Sequence, residues 1–196
     1  HVYSADVGSD AILTDARFFA DARLNFAENL LRRNDDTLAV MFRGESGVAR
    51  DLTWRELHRL VSQLQQAMVA SGVRSGDRVA AWLPNVPETI AVMLAAASIG
   101  AVFSSGSPDF GVTGMVDRFG QIEPVLLFAT DAYAYAGNDH DCLDRLAEVR
   151  AELPTVRRVI MVPYLNGVVD TSIPDAVSME EFVAPFVATE VTYERL

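Results

Sequence analysis

Apolar positions along this chain follow helical and strand periods in turn, and the strongest pattern is helical. Thr53 and Glu56 have the spacing of a capping box, in which each side chain accepts an amide proton from the other end of the box. Apolar residues then recur every three or four positions as far as Met68, and Gly72 follows as a C-terminal glycine. The pattern predicts an amphipathic helix that begins after Thr53 and ends before Gly72.

A β-hairpin is predicted immediately before this helix. Residues 37–42 and 48–52 are rich in strand-forming side chains, and the turn residues Gly44–Gly47 separate them. Residues 1–36 show no comparable strand pattern. We therefore expect 1–36 to be an irregular N-terminal extension, with an α/β domain over 37–196.

One helical patch interrupts the irregular extension. Leu24, Ala27, Leu30 and Leu31 are spaced as on one face of a helix, and Asn25 precedes them in the position of an N-cap. This patch predicts a short helix that can pack its apolar face against the domain that follows.

Downstream of Gly72, short apolar runs alternate with helical segments of about a dozen residues. Short runs of this kind are typical of parallel strands covered on both faces. Strands are predicted at 78–83, 101–103, 125–129 and 157–162, helices at 88–98, 111–121 and 142–153, and loops at 104–110 and 130–139. The alternation predicts an α/β fold with a mostly parallel sheet. After Pro163 the pattern weakens, leaving one helical turn from Ser178.

Composition restricts the compartment and excludes a membrane span. Half of the residues are apolar, so the chain can bury a sizeable core. The longest apolar run, Ile90–Ala101, is shorter than the roughly 18 residues that a span requires. Residues 1–10 lack the charged and apolar regions of a secretory signal. A single cysteine, Cys142, excludes an internal disulfide and suits a reducing compartment. We expect a cytoplasmic protein without membrane contact.

Charge excludes further classes of function. The formal net charge of −11 disfavours nucleic-acid binding, which requires a basic surface to neutralise phosphates. All sixteen basic residues are arginines. Without lysine, the chain cannot supply a Walker lysine, a Schiff base or a pyridoxal attachment.

No complete catalytic constellation is written in these residues, and we predict no catalytic residue and no metal site. Ser105 and Ser107 lack the nucleophile-elbow pattern, and the three histidines are far apart in sequence. Ser104–Ser107 follows a strand and is either a phosphate cradle or, as we favour, a plain connector. Asn138–Asp141 either binds a cation weakly or caps the following helix, and we favour capping.

Several segments resemble acetoacetyl-CoA synthetases, a branch of the acyl-adenylate-forming enzymes. Phe18–Leu31 resembles the opening of that branch, and Gly76–Glu88 resembles a stretch shared by the whole superfamily. Ser104–Val112 and Arg118–Pro124 are similar to the acetoacetyl branch in particular. The resemblance covers about residues 16–196, and it implies the N-terminal part of an adenylate-forming ligase fold.

The resemblance implies a two-step ligase. Such enzymes use ATP, with Mg²⁺ shielding the phosphates, to convert acetoacetate into an acyl-adenylate, and then transfer the acyl group to CoA. In the family the phosphate loop, the adenine-binding motif and the catalytic lysine come later than the residues matched here. We therefore expect the 196-residue chain to be inactive alone and to bind none of these ligands tightly.

The resemblance also assigns the CoA side of the site to two segments. It implies that Ser107, Pro108 and Asp109 approach the coenzyme, together with Tyr135 and Asn138 from the following loop. Members of the family often carry basic residues in that loop, whereas residues 133–138 carry none. A phosphate there would meet amide and hydroxyl donors only, which are weaker than charged ones.

Two alternatives remain open from the residues. The chain is either part of a ligase for another short-chain carboxylate or a non-catalytic α/β binding domain. A sheet that ends within this chain is expected to expose an apolar edge, through which the domain would bind a partner or a second copy of itself.

Overall fold

A computed structural model describes residues 3–4, 17–18, 21–167, 169–170 and 172–195. Within the predicted extension, residues 1–2, 5–16 and 19–20 therefore lie outside the described residues. The strands are β1 (Tyr3–Ser4), β2 (Arg17–Phe18), β3 (Leu38–Arg43), β4 (Ala49–Thr53), β5 (Arg78–Trp82), β6 (Val102–Gly106), β7 (Leu126–Thr130), β8 (Ala132–Tyr135), β9 (Asn138–Asp141), β10 (Arg158–Val162) and β11 (Ala176–Ser178). The helices are α1 (Phe26–Leu30), α2 (Trp54–Ala70), α3 (Pro87–Ile99), α4 (Val112–Ile122), α5 (Leu143–Ala151) and α6 (Met179–Val183).

The central sheet confirms the predicted α/β class. Its strands are all parallel and lie in the order β11-β10-β7-β5-β6. The chain first builds outward from β5 to β6, and then returns to the other side of β5 to add β7, β10 and β11. This is a doubly wound arrangement whose direction reverses at β5. The predicted hairpin is present as β3–β4, and β1 pairs antiparallel with β2.

Successive side chains of the sheet serve two separate cores, one on each face. Alternate side chains of each strand point to one face of the sheet and pack against α2 and α3, which forms the first core. The side chains between them point to the other face and pack against α4 and α5, which forms the second core. The strand residues of the first core are Val79, Ala81, Leu126, Phe128, Ile160 and Val162. Those of the second are Ala80, Trp82, Leu127, Ala129, Val159 and Met161. Burial on both faces explains why these strands read as unbroken apolar runs.

The helix boundaries follow the capping signals in the sequence. Thr53 and Glu56 form the predicted capping box at the start of α2. Pro87 occupies the first turn of α3, and Gly100 ends that helix with a φ of 80°, a conformation that glycine adopts without strain. The Asn25 side chain accepts from the amides of Ala27 and Glu28 and so caps α1 as predicted.

Three elements differ from the sequence prediction. The strand predicted to end at 103 continues to Gly106, because the polar residues Ser104 and Ser105 pair with β5 at the sheet edge. The loop predicted over 130–139 is the β8–β9 hairpin, whose turn places Ala136 and Gly137 at positive φ. The region after Pro163 adds the parallel strand β11, so the sheet has one strand more than predicted.

Both outer strands of this sheet are open within the described part of the chain. No described strand pairs with the outer side of β6, where Val102 is half exposed. Self-association through this edge stays a prediction. Within the same described ranges, no helix combines the length and the apolar character needed to cross a membrane.

Candidate functional site

The strand order locates the cleft in which a ligand is expected. In open parallel sheets, ligands bind outside the carboxyl ends of the strands, where the strand order reverses. Here the reversal falls between β5 and β7, which are neighbours in the sheet. The segments that leave the carboxyl ends of β5, β6 and β7 therefore form the candidate site.

Those segments enclose a cavity of about 300 Å³. Leu83, Pro84, Asn85 and Thr89 line it beyond β5, Ser105–Asp109 line it from β6, and Tyr133–Tyr135 line it from β8. The wall combines apolar side chains with amide and hydroxyl groups. Such a surface suits a ligand segment that carries its own amides and hydroxyls, and it offers no charged partner for a polyphosphate.

The structure brings together four of the five residues predicted for the CoA side. Ser107, Pro108, Asp109 and Tyr135 all line the cavity. Asn138 lies opposite Tyr135 in the β8–β9 register, outside the lining, and its side chain donates to the carbonyl of Ala136 at 3.2 Å. Its position follows from the hairpin, which the sequence prediction had read as a loop.

Two side chains from other elements hold the loop that follows β6. The Trp82 indole Nε1 donates to the carbonyl of Ser107 at 3.0 Å. The Arg145 guanidinium, which comes from α5, donates to the carbonyl of Pro108 at 3.2 Å. The amide of Phe110 also donates to Ser107 O, at 3.2 Å. The cavity wall is thus fixed by hydrogen bonds to its backbone.

Arg145 places a positive charge beside the uncharged 133–138 segment. Its guanidinium carbon lies 5.6 Å from the ring centroid of Trp82 and 5.8 Å from that of Tyr133. Tyr133 in turn stacks on His140 with centroids 4.9 Å apart. Sequence reasoning missed Arg145 because it looked for a cation within the loop itself. The available signal was an arginine on the first turn of the helix that follows.

Asp131 is a second residue that sequence reasoning missed. It follows β7 directly and is fully buried. Its carboxylate accepts from the amides of Ala132 at 2.8 Å, Tyr164 at 2.7 Å and Asn166 at 2.9 Å. The side chain therefore ties the chain beyond β10 to the carboxyl end of β7, next to the cleft.

The remaining candidates take structural roles. Burial raises the pKa of the Cys142 thiol to about 11, against the opposing effect of the Arg145 charge, so the thiol stays protonated at neutral pH. A thiol that stays protonated is a poor nucleophile. Asn138–Asp141 forms β9, and the N-cap of α5 is Cys142, which makes no side-chain capping bond. The Asp141 carboxylate just before it accepts from the amide of Leu143, the first residue of α5, at 2.8 Å. In the described ranges, no group of three or more side chains has the composition of a metal site.

Ser104–Ser107 does not form a phosphate cradle of the usual kind. Ser104 and Ser105 belong to β6, so the segment turns only after Gly106. A Cβ at Gly106 would lie 2.5 Å from Met115 Cε, so a larger residue there would require the Met115 side chain of α4 to shift. The preference for a connector over a cradle agrees with this geometry.

A doubly wound sheet with a cleft at its point of reversal defines a ligand-binding α/β domain. The sequence profile of the AMP-binding enzyme family matches residues 26–187. The chain therefore belongs to the AMP-binding enzyme family.

Within that family the chain is similar to acetoacetyl-CoA synthetases. It is 50% identical over 194 residues to acetoacetyl-coenzyme A synthetase of Rhizobium meliloti, and this match covers 97% of this chain and 29% of the relative. It is 41% identical over 181 residues to acetoacetyl-CoA synthetase of Gallus gallus, and this match covers 90% of this chain and 27% of the relative. The structure of acetoacetyl-CoA synthetase from Streptomyces lividans superposes with a TM-score of 0.86 at 39% identity, over 100% of this chain and 29% of that one. The chain thus spans less than a third of the length of the relatives it matches.

Proposed function

We propose that this chain is the N-terminal portion of an acetoacetate–CoA ligase that forms AMP. The observation that carries the proposal is the cavity at the reversal of the sheet, in a chain that belongs to the AMP-binding enzyme family. The similarity to proteins named acetoacetyl-CoA synthetases supports acetoacetate as the acid. The reducing compartment that suits the single cysteine supports a cytoplasmic location.

The chemical logic of the ligase is activation. A carboxylate is a poor electrophile, so ATP converts it into a mixed anhydride with AMP and releases pyrophosphate. The thiol of CoA then attacks the carbonyl carbon, the thioester forms, and AMP leaves with the electron pair of the broken C–O bond. Mg²⁺ would neutralise the phosphates in the first step.

The side chains of this region fit the coenzyme better than they fit the nucleotide triphosphate. The cavity presents the Asn85 amide, the Ser107 hydroxyl and the rim of Tyr135, which suit the amide-bearing arm of CoA. Asp109 is the one carboxylate in the lining, and no lysine is present in the chain. We therefore assign binding and orientation of the coenzyme arm to this region, and we assign no step of the phosphoryl chemistry to it.

The purified 196-residue chain is expected to release no pyrophosphate with acetoacetate, ATP, Mg²⁺ and CoA. It has no lysine, and the family resemblance places the phosphate loop and the catalytic lysine, which would stabilise the developing charge, outside these residues. A coupled pyrophosphate assay measures this directly, with a complete acetoacetyl-CoA synthetase as the positive control. Acetoacetate-dependent release above the enzyme-free background would contradict the assignment of chemistry outside these residues.

A thermal-shift titration tests the coenzyme assignment. We expect no change in Tm with ATP and a small increase with CoA at millimolar concentration, because a ligand that binds only the folded state stabilises it. Pantetheine is the matched ligand without the nucleotide, and it should reproduce the increase. A clear shift with ATP, or none with either coenzyme ligand, would show that the cavity is wrongly assigned.

A further inference from the structure

The loop that lines the proposed coenzyme cavity depends on one residue from a distant part of the chain. We infer that Arg145 is a positioning residue, which locks the 107–110 loop against the β8–β9 hairpin and so sets the shape of the cavity. The inference rests on the proposed function only in taking the cavity to be the coenzyme site.

Arg145 joins three elements that meet at the cavity. One guanidinium nitrogen, Nη1, donates to Pro108 O at 3.2 Å, and Nη2 donates to Asp141 O at 3.1 Å, at the end of β9. The guanidinium carbon lies 5.6 Å from the ring centroid of Trp82 on β5 and 5.8 Å from that of Tyr133 on β8. A planar group with donors on two nitrogens can make both bonds while it stacks, which an ammonium group cannot do.

Few other hydrogen bonds hold the backbone of the 107–110 loop. The described contacts that fix its backbone are the Trp82 bond to Ser107 O and the Phe110 amide bond to the same oxygen. Ser107 and Asp109 are exposed and add little packing, whereas Pro108 is buried and the Arg118 guanidinium carbon lies 4.3 Å from the centroid of the Phe110 ring. Loss of the Arg145 bond would leave the part-buried Pro108 carbonyl without that donor, which favours local opening of the loop.

Arg145 does not line the cavity, and in the described chain it forms no ion pair with a carboxylate. Its effect on a ligand must therefore pass through the loop and the hairpin, or through its charge. These two routes give different results with CoA, which is anionic, and with pantetheine, which is not.

The test is amide hydrogen exchange of the ligand-free chain for Arg145→Gln and Arg145→Lys, with Arg158→Gln as the charge-matched control. Arg158 is exposed and begins β10, so it lies at the amino end of the parallel strands, whereas the cavity lies beyond their carboxyl ends. We expect the Phe110 amide to exchange at least tenfold faster in Arg145→Gln, with a smaller increase in Arg145→Lys and no change in Arg158→Gln. Unchanged exchange of the 107–110 loop in Arg145→Gln would overturn the inference. Should Arg145→Gln fail to fold, unchanged exchange in Arg145→Lys decides the matter in the same way.

Ligand titration separates positioning from charge. Arg145→Gln is expected to weaken CoA and pantetheine by similar factors, whereas a loss confined to CoA would overturn positioning in favour of a purely electrostatic role. If the unsubstituted chain binds neither ligand, the proposed coenzyme site fails, and the exchange result still decides whether Arg145 holds the loop.

Discussion

Replacement of Asp131 by alanine is expected to lower the free energy of unfolding by about 3–5 kcal/mol, as measured by urea denaturation. The carboxylate is fully buried and accepts from the amides of Ala132, Tyr164 and Asn166. Removal of the carboxylate takes away the acceptor of these three amide donors at the end of the sheet. Each donor that stays buried and unsatisfied costs about 1–3 kcal/mol. Part of this cost is recovered when water reaches the half-buried loop after β10.

The matched control is Asp139→Ala, which removes an exposed carboxylate from the nearby β9 strand. That change should alter stability by less than about 0.5 kcal/mol, as is usual for surface positions. Asp131→Asn should fall between the two, because it keeps one acceptor oxygen but presents an NH₂ group to an amide donor. Equal stability of Asp131→Ala and Asp139→Ala would show that the carboxylate does not hold the two strand ends together.

The sequence predicted most of the fold because period and capping agree in the long elements. In α2, the Thr53–Glu56 box and the apolar stripe point to the same helix, and the structure confirms it. The strands β5, β7 and β10 were found from apolar runs, since both of their faces are buried.

The elements that the prediction missed are those whose stability comes from neighbours in space. β6 extends through two serines because the ladder to β5 continues there. The β8–β9 hairpin carries polar residues on its return strand, and only Ala136-Gly137 signals its turn. β11 is only three residues long, which is too short to show a strand period in the sequence.

The candidate site was predicted in outline and incompletely in its supporting residues. The resemblance indicated Ser107–Asp109 and Tyr135, and the structure places them around one cavity. Whether they bind CoA stays a prediction. Local patterns did not show what Arg145 and Asp131 hold, because Arg145 bonds a carbonyl 37 residues away and Asp131 accepts from amides 33 and 35 residues away in sequence. Long-range hydrogen bonds of this kind become visible only once the sheet has assembled.

A second large effect is expected at Gln65 of α2, which holds the 186–195 strap, the extended segment that lies along α2 after α6. Gln65 is almost fully buried, and its amide makes both types of bond to one residue, donating to Thr192 O and accepting from Thr192 N at 3.1 Å. Its Nε2 also donates to Ser98 Oγ at 2.7 Å, so the strap is linked to α3 as well.

Gln65→Ala is expected to lower the free energy of unfolding by roughly 2–4 kcal/mol, because it removes these bonds at once and leaves a cavity. The strap should also be released locally, which limited proteolysis detects as faster cleavage within 186–195.

Gln63→Ala is the graded control for this release. Gln63 makes one bond to the strap, to Phe186 O at 2.9 Å, from the partly exposed side of α2. The loss there should be about 1 kcal/mol, with little change in cleavage. Comparing Gln65→Ala with Gln63→Ala shows whether the strap is held mainly at one buried residue or evenly along its length. If both variants lose the same stability and are cleaved at the same rate, Gln65 is not the principal attachment. The strap's position relative to α2 and α3 would then depend on its other contacts, such as the Asn25 bond to Glu194 O at 2.9 Å.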